Sequence, residues 1–184
     1  MPSSLLVGIT GGSGSGKSTL AKKLVDRLGK EEVTRIPLDN YFYENAATNN
    51  APEAIDFVKF HHHLDLLLEG REVVTPRGNL IRPNEVLLLE GHLLMCDPRL
   101  VERLNLSIFL DLDKEERLLR RIQRNVGFGM ELQGIIDWYR KDVKDNFKRY
   151  IEPQKKICDL IVWGELTDRR VDLVVNLIKS LKEN

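Results

Sequence analysis

Gly11-Gly12-Ser13-Gly14-Ser15-Gly16-Lys17-Ser18 sits between two stretches of contrasting pattern. Before it, residues 5–9 (Leu-Leu-Val-Gly-Ile) form a short apolar run of buried-strand length. After it, Leu20, Ala21, Leu24, Val25 and Leu28 recur on one helical face, and Gly29 supplies a stop. The octet fits G-x-x-x-x-G-K-[ST], and strand, glycine loop and helix are the context in which that pattern wraps a polyphosphate. The physical reason is local. A helix start carries N–H groups without partners and partial positive charge. Glycines let successive N–H groups face an anion without obstruction. Residues Gly11, Gly12, Ser13, Gly14, Ser15, Gly16, Lys17, Ser18 and Thr19 are therefore the expected phosphate cradle. Lys17 supplies a mobile charge for the β- and γ-phosphates, and the Ser18 hydroxyl is placed to ligate Mg²⁺.

At 184 residues the chain suits one domain, 1–184, with a single buried core. Lys plus Arg and Asp plus Glu are 28 each, so no net field favours nucleic acid or an anionic membrane, and neither is expected as a partner. Apolar residues at 42% with 30% charged are ordinary for a soluble globular protein. Cys96 and Cys158 are far apart and sit beside apolar residues, which suits packing in a reducing cytosol rather than a disulfide. No charged and apolar leader opens the sequence, and no run reaches the ~18 apolar residues of a membrane span. A cytoplasmic location is expected.

Further strands are expected at 33–38, 86–89, 106–110 and 160–162, ending near Asp39, Glu90 and Asp111. Helices are expected around Phe57 to Leu68, at 98–104, 114–125, 132–151 and 171–181. Residues 44–53 are polar and read as a mobile loop, and 71–85 as a hairpin or a plain loop. His61, His62 and His63 point about 100° apart on their helix and read as solvated or partly packed side chains rather than a metal site. Strands alternating with helices imply an α/β fold, a P-loop NTPase with a doubly wound parallel five-stranded sheet and helices on both faces. Ligands in such folds bind at the carboxyl ends of the strands, where Asp39 and Glu90 stand.

Phosphoryl transfer needs a phosphate cradle, a metal, a group that activates the acceptor, and cations for developing charge. Glu90, after four apolar residues, suits Mg²⁺, and Asp39 suits the base that accepts the acceptor hydroxyl's proton. Each also has a plainer reading, as a strand-end acid or a turn cap. Lys17 and Mg²⁺ are expected to keep both carboxylates ionised. Arg117, Arg120, Arg121 and Arg124 share one helical face beside Gly127-Phe128-Gly129, either as a solvated, salt-bridged surface or as a lid over the triphosphate, at 114–131.

The ordered set GITGGSGSGKST, LDNYFY, APEAID, EVLLLEGHLLM, LNLSIFLDLDKEERLLRRIQRN and WYRKDVKDNFKRYIEPQKKICDLIV resembles the uridine kinase and phosphoribulokinase-like group of P-loop kinases. The resemblance spans nearly the whole chain and is nearest to uridine kinase. It implies Asp39 as catalytic base, Ser18 and Glu90 at Mg²⁺, and Arg121 and Arg124 in a phosphate-facing lid. The departures fall on the acceptor side. Asn50 stands where the group usually has a ribose-binding aspartate. Residues 75–79 (Thr-Pro-Arg-Gly-Asn) lack the usual base-reading tyrosine and histidine. Phe128-Gly129-Met130 replaces the lid's R-G-R, and Trp138 replaces a pyrimidine-reading glutamine.

Together these readings imply a Mg·ATP-dependent kinase acting on a small-molecule hydroxyl, with Lys17, Asp39, Arg121 and Arg124 in the chemistry. A uridine- or cytidine-like nucleoside leads the acceptors, ahead of nicotinamide riboside, pantothenate or a sugar phosphate. Tyr41, Phe42, Tyr43, Trp138 and Tyr139 could stack on a heterocycle or simply pack, and Arg77 or Arg82 could bind an acidic acceptor. Two other classes stay open: a P-loop NTPase that drives a partner, and an ATP-binding regulator without an acceptor. A homo-oligomer is left open too.

Overall fold

The apolar run before the glycine loop becomes β1 (Leu5–Gly11), the central strand of a five-stranded parallel sheet. The computed structural model describes residues 4–183, so residues 1–3, where a leader was sought, and Asn184 lie outside the described residues. The other sheet strands are β2 (Val33–Pro37), β5 (Val86–Glu90), β6 (Leu106–Asp111) and β7 (Leu160–Trp163), in the order β2-β5-β1-β6-β7. The chain leaves β1 for one side of the sheet and then crosses back over it, so the connections after β1 and β5 diverge at the carboxyl edge. Register aligns that edge: Pro37 and Ile9 both pair with Glu90, and Asp111 pairs with Trp163.

The strands are apolar throughout because both faces are covered. Side chains alternate between two cores. Val7, Ile9, Leu88, Ile108 and Leu110 pack under α1 (Lys17–Leu28) and α7 (Asp168–Glu183), through Leu20, Leu24, Val171 and Ile178. Leu6, Ile36, Leu87, Leu89 and Phe109 face the other way, against Phe60, Leu64 and Leu67 of α2 (Phe57–Leu68) and Leu100 of α3 (Pro98–Val101). Asp56 caps α2 by accepting the Lys59 N–H at 2.9 Å.

Several details differ from the sequence reading. Strand β2 stops at Pro37, and a 3₁₀ turn, Leu38–Tyr41, carries Asp39 out of the sheet. The helix expected over 132–151 is α5 (Leu132–Trp138), a π-helical stretch Tyr139–Val143, α6 (Lys144–Asn146), a second π stretch Phe147–Ile151 and a 3₁₀ turn Glu152–Lys156. Residues 44–51 are irregular, as their composition suggests, and lead into a 3₁₀ turn, Pro52–Ala54, yet Asn50 and Ala51 are buried. Residues 71–85 hold a short hairpin, β3 (Val73–Val74) with β4 (Leu80–Ile81). Most of the segment expected as a lid, 114–131, folds as α4 (Lys114–Gly127).

Both cysteines are free, and burial pushes their thiols up to about 12. His61 Nε2 pairs with Asp97 at 2.9 Å, His63 Nδ1 with the Tyr41 hydroxyl at 3.0 Å, and His62 is exposed, in line with partly packed side chains. No helix among the described residues is long and apolar enough to cross a membrane.

Buried Gln154 ties three elements together. Its Oε1 accepts the Thr10 hydroxyl of β1 at 2.5 Å, and its Nε2 donates to the carbonyls of His92 (2.9 Å) and Tyr150 (2.8 Å). Gln154→Leu leaves these groups only long contacts, Thr10 hydroxyl to the His92 carbonyl at 3.4 Å and Cys96 thiol to the Tyr150 carbonyl at 3.5 Å, so a loss of about 1–3 kcal/mol is expected. Urea denaturation reads it as a lower midpoint, and an unchanged midpoint would show that the network contributes nothing net.

Candidate active site

The glycine loop joins β1 to α1, and its shape is set by what it touches. Gly14 has φ +85, and a Cβ there would lie 2.7 Å from the Arg117 carbonyl oxygen. A Cβ on Gly12 would collide with the Arg117 guanidinium. The loop is thus pressed against the start of α4, and at Gly14, which meets backbone at a positive φ, only glycine fits. Lys17 folds back over it, donating to the carbonyls of Gly11 and Gly12 at 3.0 Å each. Burial lowers the Lys17 pKa to about 8, against the opposing pull of Asp39 and Glu90 and with further lowering from Arg117 and Arg124. The Ser15 hydroxyl is buried under the loop without a partner.

Asp39 and Glu90 stand near Lys17, as their strand-end positions suggest, but their surroundings differ. Asp39 is exposed, in the same cleft as Lys17, Ser18 and Thr19. Glu90 is 5% exposed, and the cation in contact with it is Arg35 of β2, not Lys17. The sequence reading missed Arg35. The available signal was a lone cation amid the apolar residues of a strand, which needs a nearby acid.

The arginine helix divides. Arg120 takes the plainer role, bonding Glu116 at 2.7 Å and Glu165 at 2.8 Å. Arg117 lies over the Phe147 ring at 4.1 Å and donates to the Leu112 carbonyl. Arg124 reaches the Ser13 hydroxyl at 3.3 Å. Arg121 is 4% exposed, its Nε has no partner, and its guanidinium stacks on Trp138 at 4.2 Å. Burial, with Arg124 nearby, lowers the Arg121 pKa to about 10. A buried cation without a carboxylate is costly unless an anion joins it.

Two clefts meet at Ser13 and Arg121. One, of about 570 Å³, is lined by Lys17, Ser18 and Asp39 together with Phe42, His92 and Trp138. The second, of about 860 Å³, opens between α4 and Trp163 and is lined by Arg117, Tyr139, Phe147 and Lys155. His92 stacks on Phe42 with ring centres 6.0 Å apart, and its Nε2 bonds the Asn49 carbonyl at 2.8 Å. Burial, reinforced by Lys17, pushes the His92 pKa down to about 3. Of the two arginines considered for an acidic acceptor, Arg77 lines the first cleft, whereas Arg82 bonds Glu72 at 2.7 Å. Asn50 lines the first cleft, with its Nδ2 donated to Asp142 at 2.7 Å. Tyr41 is core, stacked edge-on against Phe60, and Tyr43 is exposed.

The model of the Phosphoribulokinase / Uridine kinase family matches residues 6–170. A uridine kinase of Halobacterium salinarum is 35% identical over 86% of this chain and 80% of its own length. One from Clostridium perfringens is 31% identical over 96% of each. Among solved structures, a candidate fructose transport system kinase from Silicibacter sp. TM1040 superposes with a TM-score of 0.71 at 22% identity, covering 88% of this chain and 91% of that one. At that identity the likeness shows the fold alone, that of a P-loop kinase. The family match over most of the chain shows more: this protein belongs to the phosphoribulokinase and uridine kinase family, and it is an ATP-dependent kinase.

Proposed function

We propose that this kinase transfers the γ-phosphoryl group of ATP to a hydroxyl of a nucleoside-like acceptor of the uridine or cytidine kind. The carrying observation is the single cleft that joins Asp39, Lys17 and Ser18 to the rings of Phe42, His92 and Trp138. Uridine kinases at 30–35% identity support the same acceptor class. In this reading the chain is one kinase domain whose lid is 114–131.

The N–H groups of residues 11–19 receive the phosphates, and Lys17 leaves its two carbonyls to neutralise β/γ charge. Asp39 accepts the hydroxyl proton as the acceptor oxygen attacks phosphorus. Arg121 and Arg124 meet the charge that spreads onto the transferring group, and Arg121's lack of a carboxylate partner suits that task. For Mg²⁺, the Ser18 hydroxyl and the Glu90 carboxylate are both oxygen donors, which suits a hard cation, and Arg35 orients Glu90 through one oxygen. When bound, the ion would supply positive charge that offsets the polyphosphate's negative charge.

The first test is ADP release from Mg·ATP with uridine, cytidine, other nucleosides, nicotinamide riboside, pantothenate and sugar phosphates. Turnover on a pyrimidine nucleoside, lowered about 10²–10⁴-fold by Asp39→Asn, is expected. Turnover confined to another acceptor would replace the nucleoside, and turnover independent of any acceptor would replace transfer with hydrolysis.

Lys17 gives a pH signature. Bound phosphate favours its charged form, so a pKa of about 8 in the free protein rises on binding. Below pH 8 Lys17 already carries its proton and affinity is full. Above pH 8 binding must take up a proton, and ATP affinity falls by up to about tenfold per pH unit. Calorimetry in buffers of different ionisation heat measures the uptake, which Lys17→Arg is expected to remove. Pure release or no exchange at pH 8.5 would contradict this.

Arg121→Met removes a buried, unpaired cation. The thermal midpoint is expected to hold or rise while kcat falls at least about 100-fold. A lower midpoint with activity retained would make Arg121 a structural residue.

A further inference from the structure

Asp142, on the first wide turn after α5, takes no part in the roles above, yet four side chains converge on it. The Thr48 hydroxyl lies 2.7 Å from both carboxylate oxygens, Asn50 Nδ2 is 2.7 Å from Oδ2, and Asn146 Nδ2 is 2.7 Å from Oδ1. The fourth donor is the Trp138 indole N–H, at 3.2 Å from Oδ2. Burial alone would raise the Asp142 pKa, but the donated hydrogen bonds outweigh it and hold the carboxyl below its usual range.

These bonds join two parts of the cleft that are remote in sequence. Thr48 and Asn50 belong to the loop that lies on the acceptor side, with Asn49 held by His92. Trp138 is the surface on which the Arg121 guanidinium rests. Arg121 Nε has no hydrogen-bond partner, so nothing directional at that atom fixes the group. A flat stacking contact positions a guanidinium plane only as well as the ring itself is positioned. The indole is oriented by its bond to Asp142, and Asp142 is oriented by the loop.

We propose that Asp142 and Trp138 are positioning residues that couple the acceptor-side loop to Arg121. With Thr48 and Asn50 seated on Asp142, the indole holds the guanidinium toward the phosphates. With the loop displaced, Trp138 loses its orienting partner and Arg121 loses its platform. Contact between an acceptor and this loop therefore helps to place a cation on the donor side, which ties phosphoryl transfer to acceptor occupancy. The proposal rests on the reading that Arg121 faces phosphate.

A double-mutant cycle on binding of a non-hydrolysable ATP analogue tests it without any acceptor, by calorimetry on the whole chain. Asp142 lines neither cleft, yet Asp142→Asn is expected to weaken the analogue roughly 2- to 30-fold. In an Arg121→Lys background the same substitution is expected to add little. Asn50→Asp together with Asp142→Asn restores an amide–carboxylate pair with the roles exchanged, and is expected to recover most of the affinity. Equal losses from Asp142→Asn in both backgrounds would overturn the coupling and leave a stabilising role only. An analogue affinity untouched by Arg121→Lys would remove the phosphate-facing reading and the coupling with it. Absence of nucleoside turnover in the acceptor panel bears on the proposed substrate alone.

Discussion

The Lys17 ammonium, folded beneath the glycine loop onto the carbonyls of Gly11 and Gly12, is the contact from which the rest of the site takes its form. It places a cation at the carboxyl edge of the central strand, where the start of α1 already adds positive potential. Burial costs the charge part of its proton affinity, and the acids at the ends of β2 and β5 oppose that loss. The loop cannot relax away from this arrangement, because the start of α4 presses on Gly12 and Gly14. Lys17 is thus a buried cation in a loop whose backbone has little room to move.

The arginine helix holds its cations in two ways. Arg117 and Arg121 are satisfied by rings, Phe147 and Trp138, rather than by carboxylates. A ring face offers a guanidinium some stabilisation while leaving its N–H groups free for a later partner. A salt bridge of the kind Arg120 makes would saturate those donors. One helical face therefore separates into a cation held by carboxylates and cations held by rings. A repeat of four arginines cannot display that division, since it depends on what lies opposite each one.

On the acceptor side the structure closes a gap that the family pattern leaves open. Asn50 stands where an acid is usual, and its amide is turned onto Asp142 from a helix more than ninety residues away in sequence. Trp138 likewise serves Arg121 and Asp142 as well as the cleft. Two of the departures, Asn50 and Trp138, thus meet on one carboxylate, Asp142. The hub escaped notice in the sequence because Asp142 sits among Lys and Asp residues of an ordinary amphipathic stretch. Arg35 escaped for a related reason, since cross-strand neighbours are set by sheet order and not by spacing.

Local physics made much of the molecule readable from the chain alone. Period and composition determined the five buried strands, the helices between them, and the glycine loop opening α1, because each is a response to short-range sterics and to apolar residues seeking cover. The glycine loop was legible for the same reason: the pattern depends on consecutive backbone groups between a strand and a helix. Tertiary structure alone decided that Glu90 meets Arg35, that Arg120 and Arg121 part company, that the 132–151 helix winds through π turns, and that an irregular loop is anchored by Asp142. Those outcomes depend on which side chains a parallel sheet and its crossovers bring within about 3–4 Å of each other, a distance over which hydrogen bonds and stacking act and which sequence separation does not encode.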